Sequence, residues 1–239
     1  MDKLTKADLK KYFSKAESMN YYWKIGNDIL YKMCKKYPYH KDDVEVIAKI
    51  WLIGRSYAAS IERGAKDENN NKPEELIYEE IVPKIFSEYR NKIDEALSKI
   101  SKSDLQQIFY TYDLVLKCLH KVSNKWNRSL TSKYLHFHQP DYFYLMDSRA
   151  KIGLHNVLEA LSINNRIEKT EITMYSVSTE SEEYVKFYLK CQLCHKELEK
   201  EFNCKLSTRE IDNLMLVIAD DRNREKIKIN NKTLGENHE

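Results

Sequence analysis

Residues that interrupt helices are scarce in this chain. Only five glycines and four prolines occur in 239 residues. Between them apolar side chains recur at three- and four-residue spacing nearly everywhere, the period of a helix with one buried face. The fold is therefore expected to be all-α: a compact multi-helix globular domain over residues 1–222, built as one body or two helical lobes, with a flexible tail over 223–239. In residues 41–63, Ile47, Ile50, Trp51, Gly54, Ala58 and Ile61 form one stripe, and Gly64 stands where a helix would stop. Residues 103–122 repeat the pattern from Leu105 to Leu119, with Ser103 and Gln106 as a capping box. Thr179 with Glu182, and Ser207 with Glu210, open two more helices, and others are expected near 5–18, 20–36, 74–98 and 147–161. "GAKDENNNKPEE" reads as a polar surface loop, and the weak alternation in "EITMYSVS" predicts a small β-hairpin arm near 170–178.

Composition removes several classes of function. An odd number of cysteines, five, and a charged stretch "MDKLTKADLKKYF" in place of an apolar leader lead to the expectation of a reducing, cytoplasmic setting. The longest apolar run, "VIAKIWLIG", contains a lysine and falls far short of the roughly twenty residues that span a bilayer, so no membrane role is expected. A formal net charge of +3 means that any nucleic-acid surface is a local patch and not a global field.

The segment "RSLTSKYLHFHQPDYFYLMDSRAKIGL", residues 128–154, concentrates aromatic rings, histidines and a carboxylate. Leu130, Tyr134, Leu135 and Phe137 share a helical face that ends before Gln139-Pro140, because the residue before proline resists the α conformation. "DYFYLM" is then an apolar connector. Asp147 opens the next helix, with stripe Ile152, Leu154, Val157, Leu158 and Leu161. A carboxylate at that position meets free backbone N–H groups and the positive end of the helix dipole, which favour its ionised form. On this pattern alone a helix cap is the commoner reading of such an aspartate and a reaction centre the rarer one.

The order helix, connector ending in an apolar residue plus Asp, then helix resembles the catalytic core of the helix-hairpin-helix DNA glycosylases, above all the small prokaryotic 8-oxoguanine DNA glycosylases. "SLTSKYLHF" resembles the family's K-x-A-S-x-x-L portion, with Ser132 on its serine and Leu135 on its leucine, and "LMDSRA" resembles its apolar-Asp-x-[HR] motif. The resemblance implies that Asp147 is the catalytic carboxylate. It also sets two departures: Ser129 occupies the position of the Schiff-base lysine, and Lys125 and Asn127 occupy those of the hairpin glycines. Serine forms no imine with a sugar, so the implied activity is monofunctional, hydrolytic removal of a damaged or modified base, in repair or in defence against invading DNA. Lys133, one turn beyond Ser129, is expected to meet phosphate or solvent more than to replace the missing amine.

Base flipping needs a gripping wall and phosphate contacts. The candidates are Trp126, Tyr134, His136, His138, Tyr142 and Phe143 for the base, though each also suits the core; Lys125, Arg128, Ser129, Lys133 and Arg149 for the nucleic acid; and Arg55 as an arginine reaching in from the third helix. Lys121 joins the local basic cluster. DNA is the expected partner, and no cofactor or metal is called for. A second reading stays open: a catalytically inactive relative that binds nucleic acid, a nucleotide or a protein partner through the same residues. "CQLCH", Cys191 to His195, places two thiols and an imidazole on one helical face as zinc would require, but the same residues also continue a buried stripe with Leu198 and Phe202. No P-loop, dinucleotide, zinc-protease or nucleophile-elbow motif is present.

Overall fold

In the computed structural model, which describes residues 3–18, 21–63, 66–67, 70–71, 74–163 and 167–236, helices dominate and the fold is all-α. The chain divides into two compact units. One comprises Tyr21–Met146 and Ile167–Tyr188, the other Met1–Asn20, Asp147–Arg166 and Leu189–Glu239.

The larger unit holds α2 (Tyr21–Lys36), α3 (Asp43–Ser56), α4 (Glu74–Leu76), α5 (Val82–Ser98), α6 (Leu105–Ser123), α7 (Arg128–His138) and α9 (Lys169–Tyr175). A π turn over Ile77–Ile81 joins α4 to α5, where Pro83 lies in the first turn and needs no N–H partner. Ile50 and Ile53 from α3, Phe86 and Ile93 from α5, Phe109, Tyr112 and Leu119 from α6, and Tyr134 and Leu135 from α7 close the core, each at most 1% exposed. Tyr112 stacks on Tyr184 with ring centroids 3.7 Å apart.

The smaller unit holds α1 (Lys6–Ser18), α8 (Ser148–Ala160) and α11 (Thr208–Glu236); α10 (Glu182–Phe202) begins in the larger unit and ends in this one. Leu9, Leu154, Val157, Leu198, Leu214, Met215 and Ile218 form its core. Gly153 of α8 lies against α11 so closely that a Cβ there would stand 2.1 Å from the Met215 carbonyl oxygen.

Several sequence expectations are corrected. The hairpin arm near 170–178 is the helix α9: an isolated strand pair leaves backbone groups open, whereas a helix closes them within itself, and Ser176 Oγ donates to Ile172 O at 2.7 Å at its end. The strand pair among the described residues is instead antiparallel β1 (Lys66–Asp67) with β2 (Asn70–Asn71), inside the expected polar loop. The cap of α6 is Asp104, whose Oδ1 accepts from Gln107 N at 2.9 Å, one residue along from the Ser103–Gln106 box. The 179–182 box is also displaced by one, to Ser178 and Ser181. The Ser207–Glu210 box forms as expected, with Ser207 N donating to Glu210 Oε2 at 2.7 Å. The backbone of α11 stays helical to Glu236, past the start of the expected tail.

The third helix stops at Ser56; Gly64, expected to end it, lies outside the described residues. Ala58 adopts φ 51°, and Ala59 N donates to Gly54 O at 2.8 Å, closing the helix end with a left-handed residue that is not glycine. Asn124, Ser162 and Asn203 take the same conformation after α6, α8 and α10.

Candidate functional site

The connector ahead of Asp147 is built into the larger unit. Phe143, Tyr144, Leu145 and Met146 are all buried, so its apolar residues supply the energy that holds it. Two side chains of α7 then fix its backbone. Ser132 Oγ accepts from Met146 N at 2.9 Å, and His136 Nδ1 donates to Phe143 O at 2.7 Å. Those bonds leave His136 Nε2 to accept from Tyr31 O–H of α2 at 2.5 Å. Serine one turn beyond Ser129 is thus a clamp on the residue that delivers the aspartate, and His136, fully buried, is a second clamp and not part of a base-gripping wall.

In the smaller unit Asp147 is the N-cap of α8. Its backbone is extended, at φ −151° and ψ −176°, and Oδ1 accepts from Ala150 N at 2.9 Å. The residue is half-buried. Arg149, two residues on, is exposed and pairs with Asp220 of α11 at 2.6 Å. Arg222 Nε donates to Asn156 Oδ1 at 3.2 Å, tying α11 to α8 a second time.

The remaining expected site residues are largely occupied within the protein. Lys133 is 1% exposed, its amine donating to Ser129 Oγ at 2.6 Å and lying 5.6 Å from the Tyr57 ring centroid. That corrects the expected phosphate or solvent contact, since four methylenes in the core carry the amine to an internal hydroxyl. Arg128 Nε donates to Glu180 O at 2.9 Å and lies 3.3 Å from Glu183. Arg55 is bound to Glu62 and Glu74 at 2.8 and 2.6 Å, so no arginine reaches inward from α3. Trp126 stacks on His120 at 3.8 Å. Lys125 is exposed in the turn between α6 and α7, where the left-handed residue is Asn124; Lys125 and Asn127 keep negative φ, so neither position needs a glycine.

Sequence reasoning missed a buried polar network in the larger unit. His40, fully buried between α2 and α3, donates from Nδ1 to Asp94 Oδ1 at 2.5 Å and accepts at Nε2 from Tyr134 O–H at 2.7 Å. Burial lowers the His40 pKa against the opposing bond to Asp94. Burial raises that of Asp94, but its bonds to His40 outweigh the effect and hold the carboxyl below its ordinary value. The His138 ring stacks on His40 at 5.2 Å; its Nδ1 donates to Tyr134 O at 2.9 Å, while Nε2 is enclosed with no partner among the described residues. Burial takes the His138 pKa well below the usual histidine range. Lys49, also fully buried, donates to Tyr37 O and Tyr39 O at 2.9 and 2.7 Å, pinning the loop that carries His40. These residues lie 54 and 94 positions apart in pairs, with no local spacing to expose them; the Pro38-Tyr39-His40 stretch is the only local hint.

Cys191 and Cys194 face the core of α10, burial pushing the Cys194 thiol up to about 12, and His195 Nε2 donates to Leu206 O at 2.8 Å. No group of three metal-ligating side chains, and no helix long and apolar enough to cross a membrane, occurs among the described residues. No protein-family model, curated protein or solved structure matches this chain.

Proposed function

We propose that this protein is a monofunctional DNA glycosylase-like hydrolase that removes a damaged or modified base, with Asp147 as its carboxylate. The observation that carries the reading is how Asp147 is delivered: a buried connector is clamped at Met146 by Ser132 and at Phe143 by His136, and the next residue in the chain caps α8 with one oxygen. A carboxylate fixed in this way can stabilise charge that appears only in the transition state. Cleavage of a base–sugar bond builds positive charge on the sugar, as in glycoside hydrolysis, and an ionised carboxylate opposes that charge and orients the attacking water. With serine at 129 the reaction proceeds without an imine, and water supplies the oxygen that replaces the base.

The test is release of free base from duplexes carrying a panel of damaged and modified bases. Asp147→Asn retains a capping side chain and should reduce release by about 10²-fold or more. Absence of release from every duplex, or equal activity in Asp147→Asn, overturns the reading. The burial of Lys133 and His136 and the internal pairing of Arg128 and Arg149 favour, as the second reading, a relative that binds without catalysis. Binding with no release from the full panel is its signature.

A further inference from the structure

The helix α2 gathers cationic side chains on its surface. α2 carries Lys24, Lys32, Lys35 and Lys36 against the single acid Asp28, a net charge of +3, equal to that of the whole protein. Its two faces separate cleanly. Leu30 and Cys34 enter the core at 4% and 2% exposure. Ile25, Ile29, Lys32 and Lys36, spaced by four, three and four residues, share the outer face, all exposed, with Ile29 the most open of the apolar pair at 58%. No carboxylate among the described residues forms an ion pair with any of the four lysines; Lys36 Nζ lies 5.0 Å over the Tyr37 ring, and Tyr37 first, with Glu45 after it, favours its charged form. Elsewhere most of the cations expected to meet phosphate are engaged, Lys121 with Glu88, Arg128 with Glu183 and Arg149 with Asp220, while Lys125 is exposed in its turn.

We propose that the outer face of α2 binds the phosphodiester backbone of nucleic acid, its lysines meeting phosphates while Ile25 and Ile29 lie against the sugars. This inference rests on the reading of the protein as one that acts on DNA, and it supplies contacts that the internally paired Arg128 and Arg149 do not. From Lys24 to Lys36 the helix rises about 18 Å, the span of roughly five phosphates along one strand. An anionic bilayer fits less well. Interfacial helices bury a broad apolar face, whereas Leu30 and Cys34 of α2 are in the core and its exposed apolar side chains among the described residues, Trp23, Ile25 and Ile29, are interspersed with four lysines.

The experiment measures binding of the full chain to a fluorescein-labelled DNA duplex of about 20 base pairs by anisotropy, from about 50 to 200 mM KCl. Lys32→Glu/Lys36→Glu should weaken binding about tenfold or more and make the plot of log affinity against log salt shallower by about 2. Its circular dichroism melt should match that of the native protein. Lys92→Glu/Lys102→Glu, which reverses the same charge at exposed sites on other parts of the larger unit, should leave the slope unchanged. The inference is overturned if the native protein binds no duplex at the lowest salt, if the α2 variant binds as the native does, or if the control loses as much. It is also overturned if phosphatidylserine vesicles are bound through α2 while the duplex is not. Base release measured on the same preparations separates the two readings: release with α2-independent binding overturns this inference alone, and α2-dependent binding without release overturns the glycosylase reading alone.

Discussion

At the scale of single residues, buried histidines make this protein sensitive to acid. His40 and His138 both have lowered pKa values in the fold. The unfolded chain takes up protons at both near the ordinary value of about 6.5, and the folded chain only at lower pH. Their contribution to stability is therefore complete above about 6.5 and is lost as the pH falls below it. Asp94 works in the same direction in a lower window, because its depressed pKa contributes above about 3.9 and fades beneath that. Urea midpoints measured from pH 7.5 down to 5 should decline for the native protein, and less steeply for His138→Phe, which removes one titrating ring whose Nε2 has no partner to lose. An equal decline in both would show that His138 is not responsible. Ser132 is a second residue-scale case. Ser132→Ala leaves the buried Met146 N–H without its acceptor, and a loss of about 1–3 kcal/mol is expected in chemical denaturation.

At the scale of elements, helix ends and helix contacts decide the outcome. Ala58 holds a left-handed conformation at the end of α3, which costs a residue with a Cβ about 1 kcal/mol. Ala58→Gly should therefore be neutral or raise the melting temperature, although glycine in a helix-rich chain ordinarily lowers it. The opposite holds at Gly153, where the Met215 backbone leaves no space for a methyl group. Gly153→Ala has to push α8 and α11 apart, and a loss of at least about 1–3 kcal/mol is expected from thermal melts. A Gly153→Ala protein that melts with the native one would show that this contact is not close.

At the scale of the whole molecule, both units are discontinuous in sequence. The chain leaves and re-enters them at residues 20/21, 146/147, 166/167 and 188/189. No single cut frees either unit. A chain ended at residue 188 lacks α11, against which Leu154, Val157 and Gly153 of α8 are buried. Such a chain should be largely insoluble or bind hydrophobic dyes strongly, as read from the soluble fraction and dye fluorescence; a soluble monomer with the native helical signal would contradict the division. Charge also acts at this scale, since α2 with four lysines and one aspartate contributes a local positive field within a nearly balanced composition.

Helix periodicity alone determined the all-α fold, the position of most helices and Asp147 as a helix cap, because these depend on residues within a turn or two of one another. Asp147 could be found because capping is local: its oxygen meets Ala150, three residues away. The hairpin expected near 170–178 failed for the same reason, since a strand needs a partner that no local pattern can guarantee. Only the tertiary structure decided what the other polar side chains do. The amine of Lys133 turned inward to Ser129, His136 became a clamp between the connector and Tyr31, and His40 met Asp94 and Tyr134 across 54 and 94 residues. The same cationic side chain binds phosphate on a surface and a hydroxyl in a core, and which of these it does depends on packing between segments that the linear order does not reveal.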